Sequence, residues 1–158
     1  MTNKVNKIRD SYVETVHIVR PTHLNAAGRL FGGILMQWID EIAGVVAKRH
    51  CKMNVITASV DNLIFLKGAY QKDMIVLIGF LTYVGRTSME VRIDTFKEDM
   101  IGERQLINTA YFTMVAMDEN NEPAEVPKLL LESEEEKLEW ASAKKRREMR
   151  KVRKAEGF

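Results

Sequence analysis

The stretch LNAAGRLFGGILMQWIDEIAG, Leu24–Gly44, decides how the rest of the chain is read. From about Ile34 to His50 the apolar residues recur at helical spacing: Leu35, Trp38, Ile39, Ile42, Val45 and Val46. That period predicts a helix. The apolar positions cover more than one stripe, so the helix is expected to be buried on most sides. Two features do not fit a plain core helix. It opens on a glycine pair, Gly32–Gly33, and it carries a carboxylate, Asp40, with Gly44 one turn later.

At 3.6 residues per turn Gly33, Gln37, Asp40 and Gly44 fall along one line. A glycine inside a helix costs ~1 kcal/mol relative to alanine, so the line has two readings. It is a solvent-facing polar strip on which Gly44 lets another backbone pack close. Alternatively it is a functional groove. The glycines then leave the first backbone N–H groups of the helix free, where the helix dipole favours negative charge. Such an end stabilises an oxyanion, and Asp40 lies about two turns further on, partly desolvated by its apolar neighbours. Glu41 points about 100° away from Asp40 and reads as an exposed or salt-bridged residue.

Outward from this helix the chain reads as strands. SYVETVHIVR (11–20) is a first strand, closed by Pro21, and NVITASVDNLIFL (54–66) alternates Ile56, Ala58 and Val60 against Thr57, Ser59 and Asp61. MIVLIGFLTYV (74–84) is a continuous apolar run, the pattern of a buried strand. SMEVRIDTF (88–96) sets Met89, Val91 and Ile93 against Glu90, Arg92 and Asp94; RQLINTAYFTMVAM (104–117) is a long strand rich in aromatic and β-branched residues. Turn signals separate the runs: GRTS at 85–88, KEDMIGE at 97–103 and DENNEP at 118–123. One long helix followed by a run of antiparallel strands indicates the α+β class. A sheet curled around the helix leaves a face or an edge uncovered, which predicts a dimer.

The 158 residues suit a single domain with its own core. Residues 1–10 are polar and expected to be flexible, 11–127 form the domain, and 128–158 are a charged, helical tail. In that tail acids come first and bases last, as a helix dipole prefers. Cys51 is the only cysteine, so no intramolecular disulfide forms. The N-terminal residues show no apolar signal core, and no run reaches the ~18 apolar residues of a membrane span. The expected location is cytoplasmic, with no membrane partner.

The remaining chemistry is sparse. Asn25, ahead of the glycines, reads first as a turn former. His17 and His23 read as structural. Cys51 follows His50 directly, and adjacent helical residues do not face each other, so a Cys–His nucleophile is not expected. There is no G-x-S-x-G and no metal-ligand cluster; for a hydrolase the carboxylate is the strongest candidate. Gly85–Ser88 is either a tight hairpin turn or an anion site built from Arg86, Thr87, Ser88 and backbone N–H groups. The basic run KKRREMRKVRK (144–154) is a solvated face by default, and its alternative reading is a surface that attracts nucleic acid or a polyphosphate. With few aromatics interleaved and a net charge of only +2, nucleic acid is not an expected partner.

Four motifs in this order carry a resemblance, NAAGRLFGGILMQWIDEIA, VITASVDNLIFL, VGRTSMEV and AYFTMVAMDEN, followed by VP and the basic tail. Together the chain resembles the hotdog-fold acyl-CoA thioesterases of the acyl-CoA hydrolase type, over roughly residues 12–150. The resemblance implies a bent antiparallel sheet wrapped around one long helix. It implies hydrolysis of fatty acyl-CoA to free acid and coenzyme A, with no cofactor. Asp40 is implied as the catalytic acid and Asn25 as its partner, the two meeting across a dimer interface. The Gly32 and Gly33 amides would polarise the thioester carbonyl, and Gly85, Arg86, Thr87 and Ser88 would contact coenzyme A. A trimer of dimers is the implied assembly.

The loop KGAYQKDM (67–74) departs from the family, which usually has a proline there and then a glycine before an acid. Two other classes remain open on the sequence. A non-catalytic acyl-CoA sensor needs a DNA-binding domain, which neither the N-terminal segment nor the tail resembles. A hydratase on this fold needs a His/Asp pair, and no histidine lies on the helix near Asp40.

Overall fold

The structure, a computed structural model, describes residues 5–158 and, of Asn62, the backbone only. In chain order it comprises β1 (Val5–Lys7), β2 (Val13–Ile18), α1 (Gly32–Cys51), β3 (Asn54–Phe65), β4 (Met74–Val84), β5 (Ser88–Glu98), β6 (Arg104–Met117), β7 (Lys128–Leu130) and α2 (Glu134–Glu156). Five strands form one antiparallel sheet in the order β2-β4-β5-β6-β3. The helix α1 lies on one face of it, and the arrangement is the hotdog fold the resemblance implied.

Alternation along β5 sorts the two faces of the sheet. Met89, Val91 and Ile93 enter a core shared with Leu35, Trp38, Ile39, Ile42 and Val46 of α1. Glu90, Arg92 and Asp94 point to the opposite face, where α2 lies and Arg146 and Glu139 meet them. Helix and sheet approach closely at Gly79 of β4. A Cβ there would sit 2.6 Å from Ile42 Cγ2 and 3.1 Å from Val46 Cγ2. Glycine is the residue that lets α1 seat at this depth.

Three expectations are corrected. First, α1 is not buried on most sides. Leu35, Trp38, Ile39, Ile42, Ala43, Val46 and Ala47 are buried, whereas Gly33, Met36, Gln37, Asp40, Glu41, Val45 and Lys48 are exposed. A single bent sheet covers only one face of a helix, so the line through Asp40 is open in the chain. Second, the N-terminal segment is structured from Val5: β1 pairs in parallel with β7, Val5 to Lys128 through Lys7 to Leu130. Residues 1–4 of the expected flexible stretch lie outside the described residues. Third, β3 does not alternate strictly. Thr57 pairs with Met114 and Ser59 with Thr113, so Ala58 is an extra residue in a β-bulge. Thr57 therefore faces α1, while Ser59 and Asp61 face α2.

The helix α2 starts at a capping box. Ser133 Oγ accepts from the Glu136 N–H at 3.1 Å, and Glu136 Oε2 accepts from the Ser133 N–H at 3.3 Å. It ends at Gly157, whose φ of 80° is left-handed. It is seated by charge more than by apolar contact. Glu90 is buried, accepting from Thr82 Oγ1 at 2.7 Å, from Arg146 Nη2 at 2.8 Å and from Arg150 Nη1 at 3.1 Å. Among the described residues no helix is long and apolar enough to cross a membrane.

Candidate active site

The first turn of α1 has no side-chain cap. Its first amide bonded within the helix is Ile34 N–H, which donates to the Phe31 carbonyl at 3.0 Å. The Gly32 and Gly33 amides precede it and carry the positive end of the helix dipole. A side chain here would meet aromatic rings: a Cβ on Gly33 would lie 2.7 Å from the Phe31 ring, which must then shift, and one on Gly32 3.3 Å from the Phe65 ring.

Asn25 forms an Asx-turn just ahead of this end. Its Oδ1 accepts from the Ala27 N–H at 2.9 Å and the Arg29 N–H at 3.2 Å, and Gly28 closes the turn at a φ of 73°. Both bonds fall on the oxygen, which fixes the amide orientation and turns Nδ2, a donor, outward. Asn25 and Gly32 line one cavity of about 340 Å³, together with Leu35, Phe65, Leu66 and Ile107. The divergent loop contributes Lys67, Gly68 and Ala69 to the same wall.

Asp40 is not part of that cavity. It lies seven positions beyond Gly33, which at 1.5 Å per residue is about 10 Å along the axis. Its carboxylate is exposed, against the desolvation expected from its apolar neighbours. It is held by β3: Thr57 Oγ1 donates to Asp40 Oδ1 at 2.5 Å. One turn back, Gln37 Nε2 donates to Glu41 Oε1 at 3.0 Å, so Glu41 is engaged away from Asp40. Sequence reading missed Thr57 because strict alternation placed it with Ser59 and Asp61. The bulge at Ala58 is what moves it to the face of α1.

The other flagged residues separate cleanly. His17 stacks on Trp38 with ring centroids 4.2 Å apart, and burial lowers its pKa. His23 packs edge-on against Trp38 and accepts the Arg20 N–H on Nδ1. Both are structural. Burial pushes the Cys51 thiol up, which leaves it a poor nucleophile. Gly85–Ser88 closes a hairpin, with the Gly85 N–H donating to the Ser88 carbonyl at 2.8 Å. The Arg86 side chain stands in solvent, 3.7 Å from Glu125, and makes no contact with Asp40 or Asn25. Ser88 alone of the four lines a cleft beneath α2. Among the described residues no group of three or more His, Cys, Asp or Glu side chains is placed to hold a metal ion.

Similar proteins fit this geometry. The model of the thioesterase superfamily matches residues 27–102. The uncharacterized acyl-CoA thioester hydrolase YkhA of Bacillus subtilis is 43% identical, over 92% of this chain and 86% of its own. An acyl-CoA hydrolase from Staphylococcus aureus, solved with butyryl coenzyme A, coenzyme A and coenzyme A disulfide, superposes with a TM-score of 0.92. It is 33% identical, over 98% of this chain and 94% of its own. That enzyme has also been solved with alanine replacing an aspartate, an asparagine and a threonine. There the asparagine precedes the aspartate by 15 residues and the threonine follows it by 17, the spacing of Asn25, Asp40 and Thr57 here. A hexameric acyl-CoA thioesterase in its apo form is 38% identical with a TM-score of 0.91, over 96% of this chain and 98% of its own.

Proposed function

The chain belongs to the thioesterase superfamily, and from that premise we propose that it hydrolyses fatty acyl-CoA to a free fatty acid and coenzyme A. The observation that carries the reading is the Asp40 carboxylate on the open face of α1, oriented by the Thr57 hydroxyl. Thr57 occupies Oδ1 and leaves Oδ2 to act. As a general base, Asp40 takes a proton from water, and the hydroxide adds to the thioester carbonyl. The Gly32 and Gly33 amides and Asn25 Nδ2 stabilise the oxyanion. The carbon–sulfur bond then breaks, and the departing thiolate takes the proton from Asp40. As a nucleophile, Asp40 forms a mixed anhydride that water opens. Single-turnover hydrolysis in oxygen-18 water separates the routes: general-base attack puts the label in the fatty acid, whereas water opening the anhydride at the aspartyl carbon puts it in the Asp40 carboxylate.

The site is assembled from two copies of the chain. A carbonyl held at the Gly32–Gly33 amides is about 10 Å along the helix from the same chain's Asp40, beyond the ~3 Å reach of proton transfer. The acid is therefore supplied by a second copy. The surface for it is present: Met36 and Val45 flank the Asp40 line, Ile56, Val60 and Ile64 are exposed on the edge strand β3, and no atom lies within 4 Å of a Cβ built on Gly44. Three such dimers make a homohexamer, and one of the relatives is hexameric. Gly85–Ser88 lies on the path of coenzyme A, and the reaction is placed in the cytoplasm.

The test is free-thiol release from a panel of acyl-CoAs. Asp40→Asn is expected to lower kcat by about 10²-fold or more. Mixing inactive Asp40→Asn with inactive Asn25→Ala chains is expected to restore part of the activity, because one of the two sites in a mixed dimer is intact. Full activity in Asp40→Asn removes the mechanism, and failure of the mixture to recover activity removes the shared site.

A further inference from the structure

Asn108 of β6 is fully buried, yet half of its amide is unsatisfied. It continues the buried alternation of Ala110, Phe112 and Met114 toward α1, and Thr95 of β5 pairs with it. Asn108 Oδ1 and Thr95 Oγ1 are both buried without a hydrogen-bond partner. An unpaired acceptor in an apolar core costs stability, and a leucine would fill similar space without that cost. What the amide supplies is one bond that leucine lacks: Asn108 Nδ2 donates to the Ile64 carbonyl of β3 at 2.7 Å.

That bond falls where β3 is least supported. Within one chain β3 is an edge of the sheet, paired on one side only. Asp61 pairs with Tyr111 and Ile64 with Thr109, three steps along β3 against two along β6, so β3 carries an extra residue just before Ile64. Ile64, Phe65 and Leu66 then run on half-exposed, outside the hydrophobic core. Phe65 lies opposite Asn108, and the Leu66 N–H donates to the Ile107 carbonyl at 2.9 Å. Backbone bonds, more than core packing, therefore set where Phe65 stands. Among the described residues Asn108 is the one side chain that hydrogen-bonds the stretch from Ile64 to Leu66.

The Phe65 ring stands beside the oxyanion end of α1. Its Cζ is 3.3 Å from the place of a Cβ on Gly32, so the ring lies against the first turn of the helix. It walls the cavity of about 340 Å³ beside Asn25 and Gly32, with Leu35, Leu66 and Ile107 among the other apolar sides. That volume falls in the range of small-molecule sites.

We propose that Asn108 is a positioning residue for acyl-chain selectivity: its bond to Ile64 holds the Phe65 ring as a fixed wall, and the place of that wall sets the chain length the cavity admits. This rests on the thioesterase reading, which puts the thioester carbonyl at the Gly32 amide and the start of the acyl chain beside Phe65. Asn108 itself touches no substrate. With the clamp the cavity tells neighbouring chain lengths apart. Without it the ring is free to turn at the end of β3, and longer chains enter.

The experiment measures free-thiol release over straight-chain acyl-CoAs of stepped length, with the full chain and three variants. Asn108→Leu keeps the bulk, removes the clamp and removes the unpaired Oδ1. Phe65→Leu, at a half-exposed position, shortens the wall itself. Thr95→Val removes the neighbouring buried hydroxyl, which bonds nothing, and is the control for a softened core. The ratio of kcat/KM for the preferred length to that for the next longer chain is expected to fall about tenfold in Asn108→Leu and Phe65→Leu. It is expected to stay at the wild-type value in Thr95→Val. The change should appear in KM for the longer chains, with kcat for the preferred length kept, because Asp40 and Thr57 are untouched. A lower melting temperature in Asn108→Leu with an unchanged length profile leaves it a structural role only and overturns the proposal. The same shift of profile in Thr95→Val overturns it too. So does an unchanged profile in Phe65→Leu, even where Asn108→Leu does not fold. Calorimetric binding of the free fatty acids of the same lengths reads the cavity without turnover. If the wild type hydrolyses no acyl-CoA, the enzyme reading falls and the ratio of fatty-acid affinities decides the clamp. Discrimination lost in Asn108→Leu and kept in Thr95→Val then supports it, and an unchanged ratio overturns it.

Discussion

Gly79→Ala tests whether the seat of α1 on β4 sets both stability and the position of the carboxylate. The added Cβ would sit 2.6 Å from Ile42 Cγ2, against the 3.4 Å at which ordinary contact begins. The helix must retreat by roughly 0.8 Å or the side chain of Ile42 must leave its rotamer. Overpacking of this kind costs about 1–3 kcal/mol. A retreat also lifts Asp40 from Thr57. The 2.5 Å bond would open to roughly 3.3 Å, the limit of a useful hydrogen bond. Urea denaturation is expected to show a lower midpoint with an unchanged slope, and kcat is expected to fall about tenfold or more. The double variant Gly79→Ala/Ile42→Ala removes the clashing methyl. It should lose less stability than the sum of the single changes, by about 1 kcal/mol or more. Wild-type stability and turnover in Gly79→Ala, or strict additivity in the double variant, would refute the close-packed seat as their common cause.

Other consequences are more local. Thr57→Val keeps the shape and removes the hydroxyl, so kcat should fall with KM little changed, and Thr57→Ser should recover most of the loss; equal losses in both would point to packing instead. Glu90→Gln leaves Arg146 and Arg150 part-buried beside a neutral group, which should cost about 3 kcal/mol in denaturant and speed proteolysis of α2. Burial lowers the pKa of His50, whose Nε2 is 2.7 Å from the Pro127 carbonyl oxygen, and burial also lowers that of His17. The unfolded chain then takes up protons first on acidification, so both contributions are present above about pH 6.5 and are lost as the pH falls below it. Melting temperature measured from pH 8 to pH 5 should drop through that window, and His50→Gln should flatten the drop.

Much of this was legible in the sequence because it rests on local periodicity. The continuous apolar run of β4, the strict alternation of β5 and the glycine pair that opens α1 each name their element, and the boundaries at Met74–Val84 and Arg104–Met117 agree with the sequence reading. Asp40 was also visible, as a carboxylate out of place on an apolar helix. What stayed hidden is where two segments meet. The acid was expected to be desolvated, yet in one chain it is exposed, because burial of that face is a property of whatever packs on it and not of the helix.

Thr57 shows the same limit at a single residue. Alternation assigns it to one face, and one extra residue, Ala58, moves it to the other and places its hydroxyl on Asp40. The basic tail read as a solvated surface, since a linear sequence does not say that Glu90 and Asp61 lie beneath its arginines. The sequence by itself determined α1 and the long strands, the glycine pair that opens α1 and the place of the carboxylate. Only the tertiary structure decided which hydroxyl orients the acid and which charges are buried. Faces and partners are set by bulges and by contacts between distant strands and helices, and no local period encodes them.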